Sequence, residues 1–413
     1  DNQIELYGKR FLYKRTLSGN INYNRNVVYY YGYDKNTLTI TDADNIRQRY
    51  SNIGGDIALE SHFTDSEQIN YNVKLKYYNL TDFCKSTENS FSVTSIFSGY
   101  YEKQLVLFPV IMDYYFNKFG MIDETSAIIY LNPIVKSAGK KWNLNTGTKI
   151  AIESEENESS RFIFYPSIDF NYNIVRNIII PYLGITGQLK KNSLLAITSE
   201  NPFVVPNPQM KNTSNKLDIY VGLRGSISSA LSYNTGASMK RTENEYFFVN
   251  DNDNSDIFRK GFNLVYDTAE VWNLHGELEY QKTEKLKLIA KGDYNRYNLK
   301  HEIKPWHKPE LQITFSANYN LKNKIIVDAN VFVIGKRFAY SAEQKKGVNV
   351  VVTTTDIKEL KPIVDANLGI EYRYSKKLSA FLNMNNLAFS RYYIWNNYPV
   401  YKLNFYAGIS MVF

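Results

Sequence analysis

Apolar and polar residues alternate with a period of two in short segments along the whole chain, the pattern of strands with one face buried and the other wet. The chain closes on KLNFYAGISMVF, where Leu403, Phe405, Ala407, Ile409, Met411 and Phe413 share one face and Asn404, Tyr406, Gly408, Ser410 and Val412 the other. In DANLGIEYRY, Ala366, Leu368, Ile370, Tyr372 and Tyr374 oppose Asp365, Asn367, Glu371 and Arg373. Tyr71, Val73, Leu75 and Tyr77 oppose Asn70, Asn72, Lys74 and Lys76, and Leu217, Ile219, Val221 and Leu223 oppose Asp218, Tyr220, Gly222 and Arg224. Leu274, Leu278 and Tyr280 oppose His275, Glu277, Glu279 and Gln281, and Val327, Ala329, Val331 and Val333 oppose Asp328 and Asn330. There are roughly 16 to 18 such segments of ~9 to 12 residues, the length of a tilted membrane strand.

Helical periodicity is nearly absent; residues 42–50 and 355–361 fit a turn or two of helix. The connections carry Asn, Asp, Lys and Gly. Those at 64–68 and 282–285 read as tight turns, whereas long connections fall near 241–260, 297–311, 335–361 and 386–402. Short turns at one end and long loops at the other mark an outer-membrane barrel with its long loops extracellular. Pro109, Pro133, Pro166 and Pro181 lie inside apolar stretches and predict bulges or strand ends, because proline cannot donate to a ladder. Segments 105–112 and 177–185 are apolar on both faces, which predicts packing against an inserted loop or a partner.

Composition narrows the class. The 413 residues are 44% hydrophobic with a mean hydropathy of -0.40, and they include 35 Tyr and 23 Phe. Tyrosine suits strands and membrane interfaces. The longest apolar run, LVLFPVIM, falls far short of the ~20 residues of a spanning helix. A membrane chain of this kind must be a closed barrel, the other structure that satisfies its own backbone in lipid. A soluble propeller would show blade repeats, and no fixed-period repeat is present. The net charge of +8 is scattered without a basic run, which argues against nucleic acid and is compatible with an anionic solute or membrane surface. Cys84, the single cysteine, forms no internal disulfide. The chain does not open on a basic segment followed by an apolar one, so any secretory signal lies outside it.

Candidate chemistry is concentrated on the inward face. Lys74, Lys76, Asp218, Arg224, Glu277, Lys287, Lys291, Asp328, Asp365, Glu371 and Arg373 are the expected lumen-lining charges, together with Glu279 and Asp293. They either pair and stiffen a narrow barrel or line a water-filled pore whose local charge sets ion preference. His62, His275, His301 and His307 show no metal-ligand spacing, so no metal or cofactor is expected. A barrel hydrolase would require a serine or carboxylate beside His275; no catalytic residue is assigned. Paired tyrosines such as Tyr77-Tyr78 and Tyr392-Tyr393 read as aromatic girdles. Asp267-Thr268-Ala269 resembles a short O-glycosylation motif of Bacteroidota, and a turn accounts for it equally well.

The closing stretch Asn385 to Phe413 carries Asn385-Asn386-Leu387, then Tyr392-Tyr393-x-Trp395-x-x-Tyr398-Pro399, then the terminal strand. It resembles the closing strands of Bacteroidota outer-membrane barrels of the TonB-dependent-receptor-like group, with looser likeness upstream through Trp306-His307-Lys308-Pro309. The last strand is similar to the signal read by the barrel-assembly machinery, at Tyr406, Gly408, Met411 and Phe413. The chain enters strands near Ile4 to Leu12 or Gly19 to Tyr23, so it is expected to lack the N-terminal plug domain of those transporters. The resemblance implies a single-domain, all-β, transmembrane antiparallel barrel (1–413) of the bacterial outer membrane. Its terminal strand is expected to close against an early one. Expected partners are outer-membrane lipid, lipopolysaccharide, the assembly machinery and other outer-membrane or periplasmic proteins. Three functions follow: a channel or transporter for small polar or anionic solutes; a non-enzymatic accessory subunit for protein export, barrel assembly or lipoprotein handling; and, third, a hydrolase.

Overall fold

A computed structural model describes all residues except 1, 34–39, 41, 64–66, 121, 157–158, 252–259, 348–349 and 413, and the side chains of 341–356 are likewise not described. Its first strands are β1 (Asn2–Leu12), β2 (Arg15–Tyr29), β3 (Arg47–Ser61), β4 (Asn70–Thr81), β5 (Thr87–Tyr101) and β6 (Gln104–Phe119). Next come β7 (Ile122–Leu131), β8 (Ile134–Ala138), β9 (Trp142–Glu155), β10 (Arg161–Tyr172), β11 (Ile180–Lys190), the helix α1 (Leu194–Glu200), β12 (Thr213–Ser226) and β13 (Leu231–Asn250). The chain continues with β14 (Phe262–Thr283), β15 (Leu286–Leu299), β16 (Leu311–Leu321), β17 (Ile325–Ile334), β18 (Arg337–Gly347) and β19 (Val350–Leu360). It ends with β20 (Ile363–Arg373), β21 (Leu378–Asn385), the short β22 (Tyr393–Trp395) and β23 (Tyr398–Pro399), and β24 (Asn404–Met411).

Twenty of these strands form one antiparallel meander, each paired with its neighbours in sequence. β18 pairs only with β19, and β22 only with β23, so both hairpins stand off the wall as parts of loops. β7 and β8 both lie between β6 and β9 and share one place in the wall. The wall therefore exceeds the 16 to 18 strands expected. The segments read as apolar on both faces, 105–112 and 177–185, lie in β6 and at the entry to β11.

Pro133 makes the break between β7 and β8. The Pro109 carbonyl accepts from the Asn132 N–H, so the missing donor of Pro109 faces a gap in the ladder already open. Pro166, by contrast, sits within the β9–β10 ladder opposite Thr148. Gly147 backs the break: a Cβ there would lie 2.3 Å from the Pro133 carbonyl oxygen. Gly147→Val is expected to cost about 1–3 kcal/mol through overpacking, seen as a lower Tm of the detergent-solubilised barrel. Gly8→Ala, whose Cβ meets nothing within 4 Å, should leave Tm unchanged.

The expected helical turn near 42–50 is present as a 3-10 turn at Ala43–Ile46. The one at 355–361 is not: residues 355–360 belong to β19. The loop expected from 241 starts later, because β13 continues to Asn250. The residues of the 64–68 turn lie partly outside the described ones.

Connections alternate between two ends. Those at 13–14, 102–103, 139–141, 227–230, 284–285, 322–324 and 374–377 are short and share one end. The opposite end carries 30–46, 191–212, 300–310 and the two hairpin-bearing segments 335–362 and 386–403. Two long connections, 30–46 and 191–212, were not expected. The terminal strand does not close the wall as expected: β24 pairs with β21 and β1 with β2, and no pairing joins β1 to β24 among the described residues. Phe413 lies outside the described residues.

Candidate functional site

The register fixes which side chains face the lumen. Gln48, Tyr50, Tyr78, Leu80, Glu88 and Ser90 are buried inside, so their alternates on β3, β4 and β5 face outward. One inward row runs Asn20, Asp56, Lys76, Ser92 and Asp113 across β2 to β6. Another runs Glu277, Lys291, Thr314, Phe332 and Asp365 across β14 to β20. Lys74, Asp218, Arg224, Lys287, Asp328, Glu371 and Arg373 lie on the same inner face by strand alternation.

Their partners sit on the same or neighbouring strands rather than across the lumen. Lys74 Nζ lies 3.1 Å from Asp56, Lys287 2.9 Å from Glu279 and Arg373 3.0 Å from Glu371. Asp328 accepts from Asn318 at 2.6 Å, and Arg224 sits over the Tyr182 ring. Asp218 is opposite Lys240, and Glu277 is opposite Lys291. Asp365 is buried and is taken up by a loop, accepting from the Tyr392 hydroxyl at 2.8 Å. A recess of about 330 Å³ on this wall is lined by Asn318, Asp328, Asn330, Asn367, Asn383 and Asn385. Depressions of about 690 and 740 Å³ involve outward-facing Gly19 and Gly55, and Gly276 and Gly292, which leave dents between apolar side chains. They are grooves on the outer wall.

At the long-loop end the lumen is crossed. The segment 191–212 leaves β11, folds as α1 and runs under the mouth before joining β12. Ser193 caps α1, accepting from the Ala196 N–H. The buried Glu88 carboxylate, on β5, accepts from the N–H groups of Leu194 (2.6 Å) and Leu195 (3.1 Å) and from the Tyr78 hydroxyl (2.9 Å). Leu194 packs with Tyr50, Tyr78, Leu80 and Phe119. Further along, Tyr50 donates to the Pro202 carbonyl and Tyr30 to that of Val204. Ile197 and Val204 join Tyr30, Tyr246, Phe248, Phe262 and Tyr398 in a closed core. The crosspiece thus touches β3, β4, β5, β6, β13, β14 and β23, together with Tyr30 just after β2.

A second cluster locks the outer loops onto it. His307 has a positive φ of 61, a conformation that persists only when its surroundings over-determine it. Its ring spans the Phe248 carbonyl at 2.9 Å and the Asn396 N–H at 3.2 Å. The carbonyl requires a donor at Nδ1 and the amide an acceptor at Nε2, so the ring is neutral. Burial pushes its pKa down to about 4, and Arg337 and Lys308 push the same way. Arg337 donates to the Tyr393 and Ile394 carbonyls, so the β18–β19 and β22–β23 hairpins share one knot. Glu200, at the end of α1, sits 2.9 Å from Lys308 and accepts from the Tyr246 hydroxyl. Burial works to raise the Glu200 pKa, but Lys308 and this hydroxyl outweigh it and hold it low. Lys190 and Lys308 both lie over the Tyr246 ring.

Sequence reasoning missed Glu88, α1 and the role of His307. The N-cap signature Asn192-Ser193 before Leu194-Leu195-Ala196-Ile197 was the available signal for the helix. His275 does lie 2.9 Å from Asp293, the carboxylate a hydrolase would need, while its neighbour on β13 is Gly236. His301 is bound by Asp267, and Asp267-Thr268-Ala269 lies in β14 rather than in a turn. No group of three metal-ligating side chains occurs among the described residues. On β24, Tyr406 faces inward, Met411 outward, and the Phe381 ring covers Gly408.

Neither a family profile nor a curated protein matches the sequence. Solved structures do. The ferric-catecholate import receptor Fiu of E. coli K12 superposes with a TM-score of 0.70 at 10% identity, over 99% of this chain and 74% of that one. The ferripyoverdine receptor of the Pseudomonas aeruginosa outer membrane gives 0.69 at 11% identity, over 99% of this chain and 64% of that one. The copper transporter OprC gives 0.70 at 10% identity, over 100% and 72%. The chain thus spans between 64% and 74% of the length of these proteins. The likeness anticipated from the closing strands holds at the level of fold: the chain has the fold of outer-membrane receptor and transporter barrels.

Proposed function

We propose that the protein is a gated outer-membrane barrel of the receptor–transporter type, taking small polar or anionic solutes at its long-loop end. The crosspiece 191–212 carries this reading. A wet, charged inner wall suits polar cargo, and a folded segment anchored across the mouth makes passage conditional. Lys190 and Lys308, whose ammonium groups lie over the Tyr246 ring, place two cations near the mouth for an entering anion, with Lys308 shared by Glu200. The solved neighbours include receptors for ferric siderophores, so a ferric catecholate complex is an apt anionic probe. Saturable quenching of the mouth tryptophans Trp306 and Trp395 is expected. The double variant Lys190→Gln/Lys308→Gln should weaken binding by about tenfold, as loss of charge-assisted contacts does. Absence of saturable quenching by the probe would count against this reading.

The closed mouth also favours a second reading, the accessory subunit of an outer-membrane complex. A stoichiometric partner retained through mild-detergent purification would support it. The hydrolase reading has its carboxylate, Asp293 2.9 Å from His275, while the residue opposite His275 on β13 is Gly236.

A further inference from the structure

On the outward face, β2 and β3 carry three arginines at the long-loop end. Alternation places Arg25, Arg47 and Arg49 outward, because Gln48 and Tyr50 between them are buried inside. Arg49 is opposite Val27 and Arg25 opposite Ser51, so the two are diagonal neighbours about 7–8 Å apart at Cα. The Phe83 ring lies under the guanidiniums of Arg47 and Arg49, at 5.4 and 6.0 Å. One ladder row continues Arg25, Ser51, Thr81, Thr87 and Lys118 around the wall. Just below lies an exposed apolar band that includes Ile21, Ile53, Tyr77, Phe91 and Tyr114. That order, apolar and aromatic side chains surmounted by cations and hydroxyls, matches the passage from acyl chains to headgroups.

The charges here are incompletely met. Arg47 pairs with Asp44 at 2.9 Å, and Lys118 is opposite Asp123. Arg25 and Arg49 make no ion pair among the described residues, and the Nε of all three arginines is enclosed without an acceptor. Some other wall cations find acids, as Lys216 does with Glu243 and Arg241 opposite Glu270. With each Nε enclosed, the terminal amino groups of Arg25 and Arg49, which no acid meets among the described residues, are the planar donors left for phosphate oxygens.

We propose that Arg25, Arg47 and Arg49 form a cradle for the phosphate groups of lipopolysaccharide in the outer leaflet. The proposal rests on the outer-membrane reading. The occupant is a phosphorylated glycolipid because the site joins cations and hydroxyls for a sugar phosphate to an apolar band for several acyl chains.

The test is binding of purified lipopolysaccharide to the full-length detergent-solubilised chain, read by native mass spectrometry. The wild type should retain the glycolipid, and Arg25→Gln/Arg49→Gln should lose about tenfold in affinity through the missing charge-assisted bonds. Arg25→Lys/Arg49→Lys, which keeps charge but not the fork, should fall between them. Heat-modified gel migration confirms that each variant is folded. Enzymatically dephosphorylated lipopolysaccharide should bind like the Gln variant. Equal binding by wild type and Gln variant, by phosphorylated and dephosphorylated glycolipid, or by lipopolysaccharide and phosphatidylglycerol would each overturn the cradle. If the wild type inserts into liposomes but binds no glycolipid, the cradle alone fails; if it does not insert, the membrane reading fails with it.

Discussion

Excising the crosspiece will turn a silent barrel into a conducting one. β11 and β12 remain paired up to Lys190 and Thr213, so the ends of segment 191–212 are adjacent and a short Gly-Ser turn can replace residues 194–207. The strands themselves are untouched. What disappears is the core of Ile197 and Val204 against Tyr30, Phe262 and Tyr398, and with it the obstruction under the mouth. In planar bilayers the wild type should show negligible steady conductance, and the deletion should exceed it by at least ~tenfold, because a polar lumen then connects both sides. Glu88→Ala is the milder version. It leaves the N–H groups of Leu194 and Leu195 and the Tyr78 hydroxyl without their buried acceptor, which costs about 1–3 kcal/mol per group, and should produce intermittent openings. A deletion variant that inserts normally yet stays silent would show that something other than this segment blocks passage.

The second large effect is acid loosening of the loop knot at His307. Its pKa is depressed from 6.5 to about 4, so the folded state binds fewer protons than the unfolded one in that window. The resulting stabilisation is fully present above pH ~6.5 and is lost as the pH falls toward 4. At full size it is on the order of 3 kcal/mol, from 1.36 kcal/mol per pKa unit. Protonation would also turn Nε2 from the acceptor of the Asn396 N–H into a donor facing it. Limited proteolysis of the long loops should therefore accelerate between pH 6 and 4 in the wild type. In His307→Gln, which keeps a donor and an acceptor but does not titrate, the rate should vary little over that range. A parallel pH profile for the two proteins would remove His307 from the latch.

Much of the wall was legible because lipid and lumen impose opposite chemistries on alternate residues. Phe405, Ala407, Ile409 and Met411 face outward and Asn404, Tyr406 and Ser410 inward, as their period of two dictates. The same logic placed Lys74, Glu277 and Arg373 on the inner face. It failed where its physical premise failed. In the β13 stretch Tyr246-Phe247-Phe248-Val249 all four side chains are buried, because the strand rises beyond the wall into the loop core and is covered on both sides. No face is wet, so no alternation marks it as strand. The helix α1 escaped notice for a related reason: it spans seven residues, too few to establish a period. Glu88 was indistinguishable from any lumen carboxylate, since its role depends on a segment over a hundred residues away arriving above it.

The two unpaired edges of the wall also constrain how it can be sealed. β7 and β8 count as one position, so the meander has nineteen positions, and β1 and β24 run in the same direction, from long-loop end to short-turn end. A direct join between them would be parallel, with slanted bonds slightly weaker per residue than antiparallel ones. An antiparallel seal requires an odd number of strands between them. In either case the seam is where β1 (Asn2–Leu12) and β24 (Asn404–Met411) each present an edge of main-chain amides with no strand partner among the described residues. Hydrogen exchange should run fastest there among the long wall strands, making that seam the place where the cylinder first comes apart.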